Sequence, residues 1–191
     1  LYIVKMSPEL SPQSREHLNL AEQQLGRVSH LTRQTLGFYR ESANAGDVDL
    51  SALIESVLKL YENKLRSKSV EVVQHLERTI PVPGLEGELR QLLSNLVSNA
   101  IDAMSQNGKL QISTRTSSHQ EVPGIELRVE DNGPGIPERN REHIFEPFFT
   151  TKSDVGTGLG LWVAREIAER HDGFLRLEPS EEGKGAVFTV F

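Results

Sequence analysis

From Leu18 the chain places Leu18, Ala21, Leu25, Val28, Thr32, Thr35 and Tyr39 at alternating spacings of three and four. That repeat is the mark of a helix burying one stripe, and Leu31, Leu36 and Phe38 widen the stripe to a bundle-type face. Ser11-Pro12 offers an N-cap followed by proline at the first helical position. "SANAGD" (42–47) interrupts the repeat and reads as a linker. Residues 50–66 then carry Leu53, Ile54, Val57, Leu58 and Tyr61 on one helical face. "VEVVQHL" (70–76) predicts a strand, and "IPVPG" (80–84) a rigid connector.

The clearest helix spans 86–104, with Leu89, Leu93, Leu96, Val97, Ala100, Ile101 and Met104 as its buried stripe. Asn107-Gly108 turns into the alternating strand "KLQISTRT", and a second strand, 125–130, runs out at Asp131. An irregular segment follows to about Gly156, then a helix over 160–171 and two closing strands, "GFLRLEP" and "GAVFTVF". "EGKG" (182–185) between them reads as a hairpin turn. Gathered strands with helices set apart predict an α+β fold, a two-layer sandwich whose mixed sheet carries its helices on one face. One long bundle helix precedes it. The expected domains are 1–46, a partial helical region, and 47–191.

Bulk properties narrow the function without naming it. The 191 residues are 37% hydrophobic and 25% charged, and no apolar run approaches the roughly 18 residues that cross a bilayer. "LYIVKMSPEL" lacks the charged start and cleavage site of a signal peptide. The absence of cysteine excludes disulfides and thiolate metal sites and fits a cytoplasmic protein. A net charge of -6 argues against nucleic acid as a partner.

Three stretches carry candidate chemistry. Asn95, Asn99 and Asp102 stand at i, i+4 and i+7 on the 86–104 helix. Asparagine is a mediocre helix former, so two in mid-helix either decorate a solvated face or do something. A neutral amide oxygen suits Mg²⁺ when phosphates already supply negative charge. "DNGPGIP" (131–137) follows an acidic strand end with turn residues. "GTGLGL" (156–161) opens a helix, where glycine lets backbone N–H groups approach phosphate. Its spacing is not that of a Rossmann site, and no Walker sequence occurs.

In order, "NLVSNAIDA" (95–103), "DNGPGIP" (131–137), "IFEPFFTTK" (144–152) and "GTGLGL" (156–161) resemble the N, G1, F and G2 boxes of the sensor histidine kinase ATP-binding domain. That domain shares its Bergerat-type fold with gyrase, heat-shock chaperone and mismatch-repair ATPases. The likeness covers roughly 48–191, and "LTRQTLGFYRES" resembles the second helix of the preceding dimerisation and phosphotransfer domain.

The resemblance implies ATP and Mg²⁺ as cofactors. It gives Asp131 the adenine 6-amino group, with Gly133 and Gly135 passing close to the base. Asn99 would bind Mg²⁺, and Asn95 would be its companion on the phosphate side or in the metal shell. Gly156, Gly158 and Gly160 would wrap the triphosphate, and Lys152 would reach a phosphate. Asn95, Asn99 and Lys152 are thus the catalytic candidates. Asp102, Ile136, Thr150, Thr151, Thr157, Leu159 and Leu161 would complete the ATP site, with Thr189 supporting the adenine end. Residues 137–155 would form a lid seated by Phe145, Phe148 and Phe149.

Two departures shape the implied reaction. ATP-hydrolysing relatives carry a water-activating glutamate four residues before the metal asparagine, where this chain has Asn95, as histidine kinases do. The implied reaction is therefore transfer of the γ-phosphoryl group to a histidine, for relay to an aspartate on a response-regulator receiver domain. No early histidine is followed by an acid and an apolar helix, so the acceptor is expected upstream of residue 1. His17, His30, His75, His119, His143 and His171 read as structural or solvated. The intact protein would be a homodimer through its helical bundle, and membrane attachment is not readable. A serine kinase of the anti-sigma-factor type uses related boxes but is usually the bare domain. A nucleotide-gated interaction module is the non-enzyme alternative, separated by phosphoryl transfer to a supplied acceptor.

Overall fold

A computed structural model describes residues 17–18, 45–77, 81–152, 156–179 and 184–191. The chain divides into two compact units, 1–40 and 41–191. In the first only His17 and Leu18 are described, and they are helical. The rest of the bundle helix read from Ser11-Pro12 through Tyr39, His30 included, lies outside the described residues.

The second unit opens with strand β1 (Gly46–Val48), so the end of the expected linker is in fact paired. Asp49 then caps helix α1 (Leu50–Leu60), its Oδ1 accepting from the Ser51 and Ala52 N–H groups at 2.9 and 3.2 Å. The helix expected over 50–66 breaks at Tyr61, whose N–H is shared between the Val57 and Leu58 carbonyls. Helix α2 (Glu62–Ser67) follows, and strand β2 (Glu71–Leu76) after it. The expected connector is strand β3 (Val82–Gly84), antiparallel to β1 with Pro83 opposite Asp47. Pro83 can sit there because a two-stranded ribbon leaves one side of each strand without a ladder.

Helix α3 (Glu86–Ala103) leads into strands β4 (Lys109–His119) and β5 (Val122–Asp131). This hairpin is longer than its pattern predicted: His119 pairs with Val122, and Gln120 and Glu121 turn the chain with φ of 48° and 69°. Such a turn normally announces itself by Asn-Gly or Asp-Gly, and neither is present. Short helix α4 (Glu138–Arg141), helix α5 (Gly160–Arg170) and strands β6 (Leu175–Leu177) and β7 (Ala186–Val190) complete the order.

The main sheet runs β2-β4-β5-β7-β6, parallel at β2/β4 and antiparallel elsewhere, the mixed sheet the sequence predicted. Register sorts its faces. Leu110, Ile112 and Thr114 stand opposite Asp131, Val129 and Leu127, which stand opposite Ala186, Phe188 and Val190. Buried with them are Leu92, Leu93, Leu96, Val97, Ala100 and Ile101 of α3 and Val163, Ala164, Ile167 and Ala168 of α5. The other face carries ion pairs Arg115–Glu126, Arg128–Glu130 and Arg176–Glu178, which explains the strict alternation of β4 and β5. No described helix is long and apolar enough to cross a membrane.

Candidate nucleotide site

Because α3 buries Leu92, Leu93, Leu96, Val97, Ala100 and Ile101, its other flank turns Asn95 and Asn99 toward the first turn of α5. A methyl group at Gly160 would stand 3.7 Å from both Asn95 Oδ1 and Asn99 Nδ2. Asn95 Nδ2 is buried and has no hydrogen-bond partner among the described residues. An orphaned donor of this kind asks for a ligand, since desolvating an amide without compensation is costly. The first backbone N–H groups of α5 lie at the same end, a ready anion site.

Asp102 lies one turn beyond Asn99. Its Oδ1 accepts from Lys64 Nζ at 2.5 Å and its Oδ2 from Lys152 Nζ at 3.0 Å. Burial pushes its carboxyl up, but the hydrogen bonds and charges of Lys64 and Lys152 outweigh this and hold it below the ordinary value. Lys64 belongs to α2, which no motif segment includes.

Asp131 ends β5 with 4% exposure, facing the helix side of the sheet. Its Oδ1 accepts the Gly133 N–H at 2.8 Å, closing a tight Asx turn. A Cβ at Gly133 would lie 2.8 Å from that oxygen and 3.2 Å from the Ala103 carbonyl, so a side chain there would push the Asp131 carboxylate out of its turn. Gly135 takes φ +75°. Burial raises the Asp131 carboxyl above its ordinary value, partly offset by backbone hydrogen bonds from Gly133 and Ala186. Asn132 fixes the loop from outside: it accepts the Lys109 N–H at 2.7 Å and returns its own N–H to the Lys109 carbonyl. Ile136 accepts from Arg141 Nε through its carbonyl at 3.2 Å.

The lid segment is described over 137–152 and from 156; 153–155 lie outside the described residues. Phe145 meets Phe188 edge-on at 6.4 Å and carries the Arg165 guanidinium at 5.9 Å. Phe149 lies against His143, whose ring pairs with Glu146 at 2.9 Å. Phe148 does not seat the lid: it is 69% exposed at φ +69°. Ile144, 7% exposed, is the buried residue that sequence reading passed over. Its apolar character inside "HIFEPFF" was the available signal.

The glycines of 156–161 divide their work. Added Cβ atoms would overlap Thr150 Oγ1 at Gly156 and the Phe148 backbone at Gly158, which has φ +68°. Both serve the close approach of this loop to residues 148–150, while Gly160 faces the asparagines. Thr150 Oγ1 accepts the Lys152 N–H at 3.1 Å, and Thr157 Oγ1 the Leu159 N–H at 3.4 Å. Leu159 caps α5, Leu161 is half-buried in its first turn, and Thr151 is exposed.

Thr189 does not join this group. It sits three residues from Ala186, the partner of Asp131, so the two-residue period of β7 puts it on the opposite face beside Arg128 and Arg176. Of the histidines, His171 closes α5: Nδ1 donates to the Ile167 carbonyl at 2.9 Å and Nε2 accepts the Leu85 N–H at 3.2 Å. His119 lies in a ring cluster with Phe174 and Phe191.

Residues 84–191 match the family described as histidine kinase-, DNA gyrase B-, and HSP90-like ATPases. The chain is 33% identical over 181 residues to the signal transduction histidine-protein kinase AtoS of Escherichia coli K12, covering 94% of this chain and 29% of that protein. It thus spans less than a third of that relative. The nucleotide-free catalytic domain of histidine kinase ThkA superposes with a TM-score of 0.68 at 34% identity, covering 77% of this chain and 93% of that one. ThkA in complex with its response regulator protein TrrA matches with a TM-score of 0.68 at 29% identity, over 99% of this chain and 54% of that one.

Proposed function

Since the chain belongs to the family of histidine kinase-, DNA gyrase B- and HSP90-like ATPases and has the fold of histidine kinase catalytic domains, we propose that its site binds MgATP for phosphoryl transfer to histidine. The γ-phosphorus bond to the β,γ-bridging oxygen breaks, a phosphorus–nitrogen bond forms on the imidazole, ADP leaves and the ring proton passes to solvent. The acceptor would lie on a bundle helix, and its phosphoryl group would go on to a receiver-domain aspartate of a response regulator. The ThkA–TrrA complex supports such a partner. The intact protein would work as a homodimer.

The observation that carries this reading is half-buried Asn95, whose amide nitrogen is buried and unpartnered among the described residues, beside the start of α5 where ATP-hydrolysing relatives place a glutamate. An amide cannot take a proton from water, so the site suits transfer and not hydrolysis. Asn99 and Asn95 would hold Mg²⁺ together with nucleotide phosphates. Among the described residues no three His, Cys, Asp or Glu side chains converge to bind a metal unaided, which fits a cation brought by its nucleotide. Bound Mg²⁺ would neutralise phosphate charge. Asp131 would accept the adenine 6-amino hydrogen, and guanine, with an oxo group there, would leave the carboxylate opposed to a second acceptor. Lys152 and the Gly160 end of α5 would receive the phosphates.

Calorimetric titration of ATP and GTP, with and without Mg²⁺, tests the site. Mg²⁺-assisted binding of ATP over GTP, lost in Asp131→Asn, is the expected result. Labelled ATP presented with a histidine-bearing acceptor helix then tests the reaction: label on the acceptor is expected. Fast phosphate release without acceptor would make the protein an ATPase instead.

A further inference from the structure

Asp102, expected among the residues of the ATP site, would serve it only through the lysines it holds, since its own carboxylate would repel a triphosphate and keep Lys152 for itself. We propose that Lys64 is a positioning residue for phosphate binding, holding Asp102 so that Lys152 can leave that carboxylate for the nucleotide; this rests on the ATP reading above.

The geometry gives each oxygen of Asp102 its own cation, Lys64 Nζ at 2.5 Å and Lys152 Nζ at 3.0 Å. The two lysines come from segments far apart in sequence, α2 and the lid. With Lys152 alone the pair would be neutral, and drawing the lysine away would strand a carboxylate against incoming phosphate. With Lys64 present the triad carries one net positive charge, and Asp102 stays paired after Lys152 departs. Lys64 is not the only tie between the end of α2 and α3. One turn later Lys68 Nζ already donates to the Ile101 and Met104 carbonyls at 2.7 Å each, capping the end of α3. The Asp102, Lys64 and Lys152 side chains are 33%, 40% and 41% exposed, so solvent and ligand both reach them.

The test is calorimetry of MgATP with the full chain, Lys64→Gln and the double variant Lys64→Gln/Asp102→Asn, with adenosine affinity by NMR titration and thermal melting alongside. Lys64→Gln should weaken MgATP about fivefold, as fits partly screened charges. Adenosine affinity and melting temperature should hold, and removing the stranded carboxylate in the double variant should recover at least half of the MgATP affinity that Lys64→Gln loses. Unchanged MgATP affinity in Lys64→Gln overturns the proposal. So does a loss that Asp102→Asn fails to restore, which would make Lys64 a direct phosphate contact. An equal loss for adenosine and in melting would reduce it to a docking residue. A parent chain that binds no ATP overturns both this inference and the reading beneath it.

Discussion

Asn95 and Gly160 face one another across the gap between α3 and α5, with room at Gly160 for one methyl group 3.7 Å from the Asn95 carbonyl oxygen. That distance is ordinary van der Waals contact, and Gly160 does not need a positive φ. Gly160→Ala should therefore fold, with thermal stability unchanged or slightly higher, because alanine is the better helix residue. The same methyl would stand where phosphate meets the first N–H groups of α5, and MgATP affinity should fall about tenfold or more. A calorimetric isotherm like that of the parent would remove the start of α5 from the phosphate site.

The layers of the fold were legible because period is legible. The α3 stripe and the alternation of β4 and β5 follow from which side faces the core, and both were read from spacing alone. What escaped depends on geometry without a compositional mark. Gln120 and Glu121 turn the β4–β5 hairpin in a conformation usually given to Asn-Gly, and Val82–Gly84 pairs with β1 despite its proline. In the site, the motifs carried Asn95, Asn99, Asp131 and the glycines. Lys64 was invisible, because it reaches Asp102 across 38 positions of sequence. Thr189, expected at the adenine end, faces away from Asp131, because side chains alternate along β7 and it lies an odd number of residues from Ala186.

Among the glycines of 156–160 only Gly158 combines a left-handed φ with close approach to backbone, that of Phe148, which makes it the least adjustable point of the hinge between the lid segment and α5. Gly158→Ala combines a disfavoured φ with backbone overlap and should cost about 1–3 kcal/mol of local order. Hydrogen exchange should show faster opening of residues around 148–158, with α3 and the sheet protected as before. Uniform protection across the variant would mean that the hinge adjusts freely.

Asp131 sets a pH dependence with two opposite signs. Its carboxyl is raised by burial, so between 3.8 and the folded value the native state holds the extra proton and stability falls as pH rises. Adenine recognition runs the other way, because the ionised carboxylate is the stronger acceptor for the 6-amino group. Adenosine affinity should therefore weaken as pH falls through the raised value, at a higher pH than for an exposed aspartate. Both trends should vanish in Asp131→Asn, measured by NMR titration and by chemical denaturation across the same pH series.

His143 reports on the lid. Its hydrogen bond and charge interaction with Glu146 raise its value above 6.5, so the pair is fully formed below 6.5 and lost as pH rises through the raised value. The ring proton shifts should give that raised midpoint, and Glu146→Gln should bring it back toward 6.5. A midpoint indifferent to that substitution would mean the pair does not persist in solution.

Glu88 is a buried carboxylate with no part in the proposed chemistry. One oxygen accepts from Arg170 Nη1 at 2.9 Å, and the other has no partner among the described residues, with His171 Nδ1 at 3.9 Å. The pair links the first turn of α3 to the last of α5, the two helices between which the nucleotide site opens. The Arg170 side chain is 54% exposed but that of Glu88 only 5%, so the cost of breaking the pair falls on the buried partner. Arg170→Met should destabilise the chain by about 2 kcal/mol, because it leaves a buried carboxylate without its ion-pair partner. Adding Glu88→Leu removes that charge and should recover most of the loss, read from urea midpoints at constant slope. If the double variant is less stable than Arg170→Met alone, Glu88 holds α3 and α5 through contacts other than Arg170.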